Sequence, residues 1–200
     1  MPSQLVHPGR IEWTGENPVI QLKTHPDGPY SCSASFFRVP ISPFGYGHAA
    51  FVFPSPNEEG APNACCTDNR PMAEWLLSEF LSCFGPYKAL PALHGLRMLE
   101  DARFSFSTTP PGAWVENIEA EGMTVVLRWL GLQEPFLAQV PADQSATGRH
   151  EMISVIVPAM RGEIIVNGDL LPGTLVPRQM DDRPFYSAFL AFETWIRQHG

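Results

Sequence analysis

Lysine is rare in this sequence, and one of its two copies lies where amine chemistry is possible. Of thirteen Lys and Arg residues only Lys23 and Lys88 are lysines. Lys88 lies in the apolar stretch from Phe84 to Leu90. An apolar environment favours the neutral amine, which can form a Schiff base with a carbonyl substrate. We therefore treat Lys88 as a candidate catalytic residue. The alternative is a lysine at a helix exit whose stem packs on apolar surface while its charge stays in water.

A histidine, His48, follows two closely spaced glycines and enters a predicted strand. Gly45 and Gly47 allow the backbone to bend or to approach a ligand. A histidine at such a position can act as a general base, so His48 is a candidate ligand-binding residue. The alternative is a simple turn in which His48 begins the strand. The stretch is not a dinucleotide-binding motif, which needs three spaced glycines at the start of a helix.

A charged tripeptide, Arg149-His150-Glu151, opens another predicted strand. Side chains alternate along a strand, so Arg149 and Glu151 share one face and His150 points to the other. An inward-facing arginine can hold a ligand carboxylate through two parallel hydrogen bonds. Arg149 and Glu151 are therefore candidate ligand-binding residues, with a weak surface ion pair as the alternative.

Motifs for metal, nucleotide and serine chemistry are absent from the sequence. The four cysteines, Cys32, Cys65, Cys66 and Cys83, form no Cys-x-x-Cys pair, and the sequence has no His-Glu-x-x-His. It also has no P-loop and no Gly-x-Ser-x-Gly. We predict no metal and no cofactor, and we expect the cysteines to be reduced thiols.

The element that must position Lys88 is a helix predicted from Asn69 to Phe84. Asp68 or Asn69 can cap its first turn, where Pro71 is also well tolerated. Apolar residues recur at helical spacing, and Gly85-Pro86 ends the helix. The residues predicted to pack against a sheet are Trp75, Leu76 and Phe80.

The remaining chain is predicted to consist of short strands, because 21 prolines and 16 glycines divide it. Asn167-Gly168 predicts a tight hairpin. Residues 184–198 are ambiguous: an apolar stripe at helical spacing, with Asp181 or Asp182 as cap, slightly favours a helix, yet the residue types also suit a strand. The predicted fold is a single β-rich α+β domain over residues 1–200. It would be an antiparallel barrel or strongly bent sheet of roughly eight to eleven strands, with helix 69–84 and a possible C-terminal helix.

Charge and hydropathy exclude several classes of partner. The net charge is −8, without a basic cluster, which argues against nucleic-acid binding. No apolar run approaches the length of about 20 residues that spans a membrane. Residues Met1 to Arg10 lack the apolar region of a signal peptide, so we expect a cytoplasmic protein. The preference for Arg over Lys suits a GC-rich bacterial genome. The sequence does not predict an oligomeric state.

Three segments together resemble the central part of the acetoacetate decarboxylase-like β-barrel superfamily. They are Pro43 to His48, then Thr67 to Asn69 before the helix, then Phe84 to Lys88 after it. The resemblance covers about 45 residues, less than a quarter of the chain. It implies a barrel fold and a catalytic lysine, Lys88. The family has a second lysine beside the catalytic one, whereas Ala89 stands here, and His48 or Ala49 replaces the acidic residue expected nearby.

We therefore expect a small-molecule-binding barrel that binds, or as an enzyme acts on, an apolar or aromatic metabolite that bears a carboxylate. One alternative is a Schiff-base decarboxylase or lyase that uses Lys88. The other is an interaction module without catalysis. A cavity lined by Phe, Trp and Arg would favour ligand binding, and a solid core with a flat apolar patch would favour the interaction module.

Overall fold

The computed structural model describes residues 9–58, 61–88, 90–180 and 182–198. The strands, in chain order, are β1 Arg10–Glu16, β2 Val19–Lys23, β3 Cys32–Ile41, β4 Gly47–Phe53, β5 Ala64–Thr67, β6 Arg97–Leu99, β7 Arg103–Ser107, β8 Ala113–Ala120, β9 Met123–Leu132, β10 Phe136–Val140, β11 His150–Val166, β12 Asp169–Leu170, β13 Thr174–Leu175, β14 Pro177–Met180, β15 Arg183–Tyr186 and β16 Ala188–Arg197. The helix α1 spans Arg70–Glu79, and two single-turn 3-10 helices span Leu81–Cys83 and Pro91–Leu93.

Fourteen of these strands form one large curled sheet. Its main path runs β6-β5-β4-β3-β1-β16-β11-β9-β8-β7, and β14 and β15 form a separate hairpin. Neighbours on the path are antiparallel except β5 and β6, which are parallel. The β-rich prediction is confirmed, in the form of a strongly bent sheet rather than a closed barrel.

The sheet has an apolar core on each side. On one side, Phe36 and Leu127 belong to a core between the two halves of the curled sheet. On the other, Phe37 and Trp195 pack with α1 and the chain that follows it. Successive residues such as Phe36 and Phe37 enter different cores, because side chains alternate along a strand.

Helix α1 is shorter than the sequence predicted. Asn69 is its N-cap, and its side chain accepts a hydrogen bond from the Met72 N–H at 3.1 Å. The helix ends at Glu79, and a 3-10 turn continues toward Phe84. Leu76 and Phe80 are fully buried, as predicted. Trp75, also predicted to pack against the sheet, is only half-buried.

The C-terminal segment is a pair of strands, so the slight preference for a helix was wrong. Strand β16 pairs with β1 on one side and with β11 on the other. These two ladders satisfy its backbone hydrogen-bonding groups, and this tertiary pairing outweighs the helical spacing of its aromatic residues. Asp181, one of the two predicted caps, lies outside the described residues.

The predicted Asn-Gly hairpin is confirmed. Asn167 and Gly168 have φ of 52° and 90° and connect β11 to β12. Within the described ranges, no helix is long and apolar enough to cross a membrane.

Candidate functional site

A cavity of about 280 Å³ lies on the α1 side of the curled sheet. Its floor comes from β2, β11 and β16. The chain after α1, the loop before β11 and the β14 strand form its walls. The apolar lining includes Phe84, Met152, Ile156, Phe189 and Trp195. A largely apolar cavity with a few polar groups is the usual form of a small-molecule site.

Glu193 is an acidic residue in the cavity lining, and its side chain is 7 % exposed. The Trp195 indole N–H donates a hydrogen bond of 2.8 Å to its Oε2. Burial raises the pKa of Glu193 to about 7, although Trp195 and Asn17 partly oppose the shift. Near neutral pH this carboxyl can therefore hold or release a proton.

Arg178 places a positive charge in the same lining. One guanidinium nitrogen donates to the Gln21 side-chain oxygen and, at 2.8 Å, to the Tyr30 hydroxyl. Its Nε is buried and has no hydrogen-bond partner among the described residues. No described carboxylate forms an ion pair with Arg178. Arg178 is half-buried, and a guanidinium that lacks a carboxylate partner in a mostly apolar lining is suited to an anionic ligand.

Tyr87 contributes a second unsatisfied polar group. It is 2 % exposed, and burial raises the pKa of its hydroxyl. Gln21 and Ser33 lie near the hydroxyl and oppose that shift, but neither makes a hydrogen bond of acceptable geometry. The hydroxyl has almost no accessible surface, so a ligand in the cavity would contact Tyr87 through its ring rather than through this group.

Lys88 is exposed and is not among the described residues that line the cavity. Its neighbours Phe84, Pro86 and Tyr87 do line it. The Schiff-base interpretation required a partly buried amine that faces a cavity, and the structure does not place Lys88 so. We therefore build no proposal on it. Ala89 lies outside the described residues.

Arg149 and Glu151 also lie away from the cavity lining. Arg149 is paired with Glu79 of α1 at 2.6 Å, and its side chain is 45 % exposed. Glu151 is buried and accepts a hydrogen bond of 2.9 Å from Gln139. The arginine that lines the cavity is Arg178 of the β14 strand rather than Arg149, and of the first three residues of β11 it is Met152 that lines the cavity.

His48 lies in a different part of the molecule, next to Tyr46 and Asp68. Its ring nitrogens are 2.6 Å from an Asp68 carboxylate oxygen and 2.9 Å from the Tyr46 hydroxyl. None of these three residues lines the cavity.

Two residues of the site were missed by sequence reasoning. Glu193 lies two positions before Trp195, so a strand places both side chains on one face. A helix would place them on different faces, so the helical interpretation of this segment did not predict their contact. Arg178 carries no comparable signal, because only folding brings β14 to β2.

Among the described residues, no group of three or more His, Cys, Asp or Glu side chains is placed to hold a metal ion. No protein-family model, curated protein or solved structure matches this chain. The resemblance to the acetoacetate decarboxylase-like superfamily stays a prediction.

Proposed function

We propose that this protein binds a small apolar or aromatic ligand that bears a carboxylate, and that it does so in the cavity beside β16. The observation that carries the proposal is Arg178, which has no carboxylate partner among the described residues and lies in a lining that is otherwise mostly apolar. Phe, Trp and Arg all line the cavity, which is the composition that favours ligand binding over an interaction module.

The size of the cavity limits the ligand. Drug-sized ligands occupy pockets of roughly 300–1,000 Å³, and this cavity is near the lower end of that range. A single aromatic ring with a short carboxylate arm is a suitable size. The ring would pack against Phe189 and Trp195, and the carboxylate would accept hydrogen bonds from Arg178.

Glu193 would make this binding depend on pH. Arg178 and Glu193 are the charged residues that line the described cavity. Below the pKa of about 7, Glu193 is neutral and can donate a hydrogen bond to a ligand carboxylate. Above it, two negative carboxylates would share a small apolar space. Affinity should therefore fall as the pH rises from 6 to 8.

Calorimetric titration with 3-phenylpropanoate tests the proposal. The matched probe is 3-phenylpropanamide, which has the same shape without the charge. The amide lacks the negative charge and one acceptor oxygen, and a hydrogen bond to a charged group is worth about 1.5–3 kcal/mol, so the amide should bind about 10- to 150-fold more weakly.

The variant Arg178→Met should weaken carboxylate binding to a similar extent. Arg149→Met is the matched control, because Arg149 is an exposed arginine outside the cavity lining. Equal binding of acid and amide, or equal effects of the two substitutions, would contradict the proposal.

A further inference from the structure

Three side chains outside the cavity, Tyr46, His48 and Asp68, form a directed hydrogen-bonded chain. The two Asp68 carboxylate oxygens accept from the His48 backbone N–H and from ring Nδ1, each at 2.6 Å. An ionised carboxylate only accepts, so Nδ1 must carry a proton and Nε2 of the neutral ring is an acceptor. The Tyr46 hydroxyl, 2.9 Å from Nε2, therefore donates to it.

The charge state of Asp68 supports this direction. Burial alone would raise the pKa of Asp68, but the hydrogen bonds and charge interaction with His48 outweigh burial and hold the pKa below its ordinary value. Asp68 is thus ionised at neutral pH. The His48 ring also stacks on Phe104, with 4.7 Å between the ring centroids. The imidazole is fixed in one orientation before any ligand arrives.

The tyrosine end of the chain is both anchored and accessible. The Asn69 side-chain amide donates to the backbone oxygens of Phe44 and Tyr46, each at 3.0 Å. The start of β4 lies so close to the N-cap of α1 that a Cβ added at Gly47 would be 2.5 Å from the Asn69 Cβ. Tyr46 is nevertheless 58 % exposed. It lines an open cleft of about 410 Å³, which a small molecule can enter.

The charges beside Tyr46 indicate which substrates the cleft can accept. Arg38, Glu16 and Glu193 are the charged residues of the described cleft lining, and Arg38 is paired with Glu16 and, at 2.9 Å, with Glu116. One positive and two acidic groups give no advantage to a phosphate. The hydroxyls of Thr14 and Thr194, which are hydrogen-bonded to each other at 2.8 Å, also belong to this lining. An uncharged polar substrate fits these surroundings best.

We propose that Tyr46 is a nucleophile for acyl transfer from uncharged carboxylic esters. Tyr46 Oη attacks the acyl carbon while His48 Nε2 takes the phenolic proton. The bond from the acyl carbon to the leaving oxygen breaks, and that oxygen takes the proton from His48. Water then attacks the acyl-tyrosine, giving one proton to His48, which returns it to Tyr46 as the acid departs. Asp68 is a positioning residue that fixes the His48 ring.

Acetylation of the intact protein by p-nitrophenyl acetate tests this proposal. Tyr186 is an internal control, because it is 49 % exposed and has no hydrogen-bonded histidine among the described residues. Peptide mass spectrometry after short reaction times should show Tyr46 acetylated about 100-fold faster than Tyr186, the lower end of general-base catalysis. Equal rates for the two tyrosines would overturn the proposal.

Two substitutions test separately the role of Tyr46 as nucleophile and the role of Asp68 as positioning residue. Tyr46→Phe should remove most p-nitrophenolate release, whereas Tyr186→Phe should leave it unchanged. In Asp68→Asn, nitrogen-15 NMR of the histidine rings should show the His48 proton moved from Nδ1 to Nε2, with Tyr46 acetylation slowed in parallel. Acetylation that stays fast after the proton has moved would show that His48 is not the base.

Discussion

Replacement of Glu193 by Gln should remove a pH dependence of stability that the buried carboxyl creates. The pKa of Glu193 is about 7 in the folded protein and 4.5 is its ordinary value. Between these values the folded state holds a proton that the unfolded state has released. The free energy of unfolding therefore falls as the pH rises, by about 1.4 kcal/mol per pH unit. Over the whole window the loss is about 3 kcal/mol.

The Gln variant keeps an oxygen that can accept the Trp195 N–H but has no proton to lose. Urea unfolding of both proteins between pH 5 and 8 gives the difference in the free energy of unfolding at each pH. The unchanged protein should lose about 2.5 kcal/mol relative to Glu193→Gln between pH 5 and 8, because other titrating groups are common to both. A difference that stays constant with pH would show that Glu193 is solvated, and the description of the cavity would then be wrong.

Three further outcomes follow from the fold. Phe80→Ala should lower the free energy of unfolding by about 3–5 kcal/mol, because Phe80 is fully buried against Trp13 and Trp195. Trp75→Ala should cost less, and equal losses in urea titrations would contradict the difference in burial. Asn69→Ala should cost at least about 1 kcal/mol from the lost N-cap, measured by thermal unfolding, and no change would exclude the capping role. All four cysteines should react in a thiol titration of the denatured protein kept under anaerobic conditions, since each is a free thiol, and fewer than four would contradict this.

Features that depend on neighbouring residues could be predicted from the sequence. The Asn69 cap and the start of α1 follow from side chains within one turn of each other. The Asn167-Gly168 hairpin follows from two residues that tolerate positive φ. The hairpin was predicted correctly, and Asn69 is one of the two caps that the sequence predicted. The end of α1 was not predicted correctly, because the chain from Phe80 onward continues as a 3-10 turn packed against Trp195, which is distant in sequence.

Features that depend on pairing between residues distant in sequence could not be predicted from the sequence. Strand β16 is stabilised by β1, near the other end of the described chain, and by β11. Its aromatic residues satisfy both a helical and a strand pattern, so only the partners decide. The same pairing places Glu193 in the cavity. For the candidate site, the sequence named Arg149 as the ligand-binding arginine, whereas Arg178 is the arginine that lines the cavity. Which arginine lies beside a cavity depends on the fold, which brings β14 to β2.

A crystal structure of the protein with 3-phenylpropanoate is the most direct test of the proposed carboxylate site. We expect the aromatic ring in the cavity against Trp195, with a carboxylate oxygen within hydrogen-bonding distance of the Arg178 guanidinium. A probe bound elsewhere, or a cavity closed by its own side chains at saturating probe concentration, would contradict the proposed function.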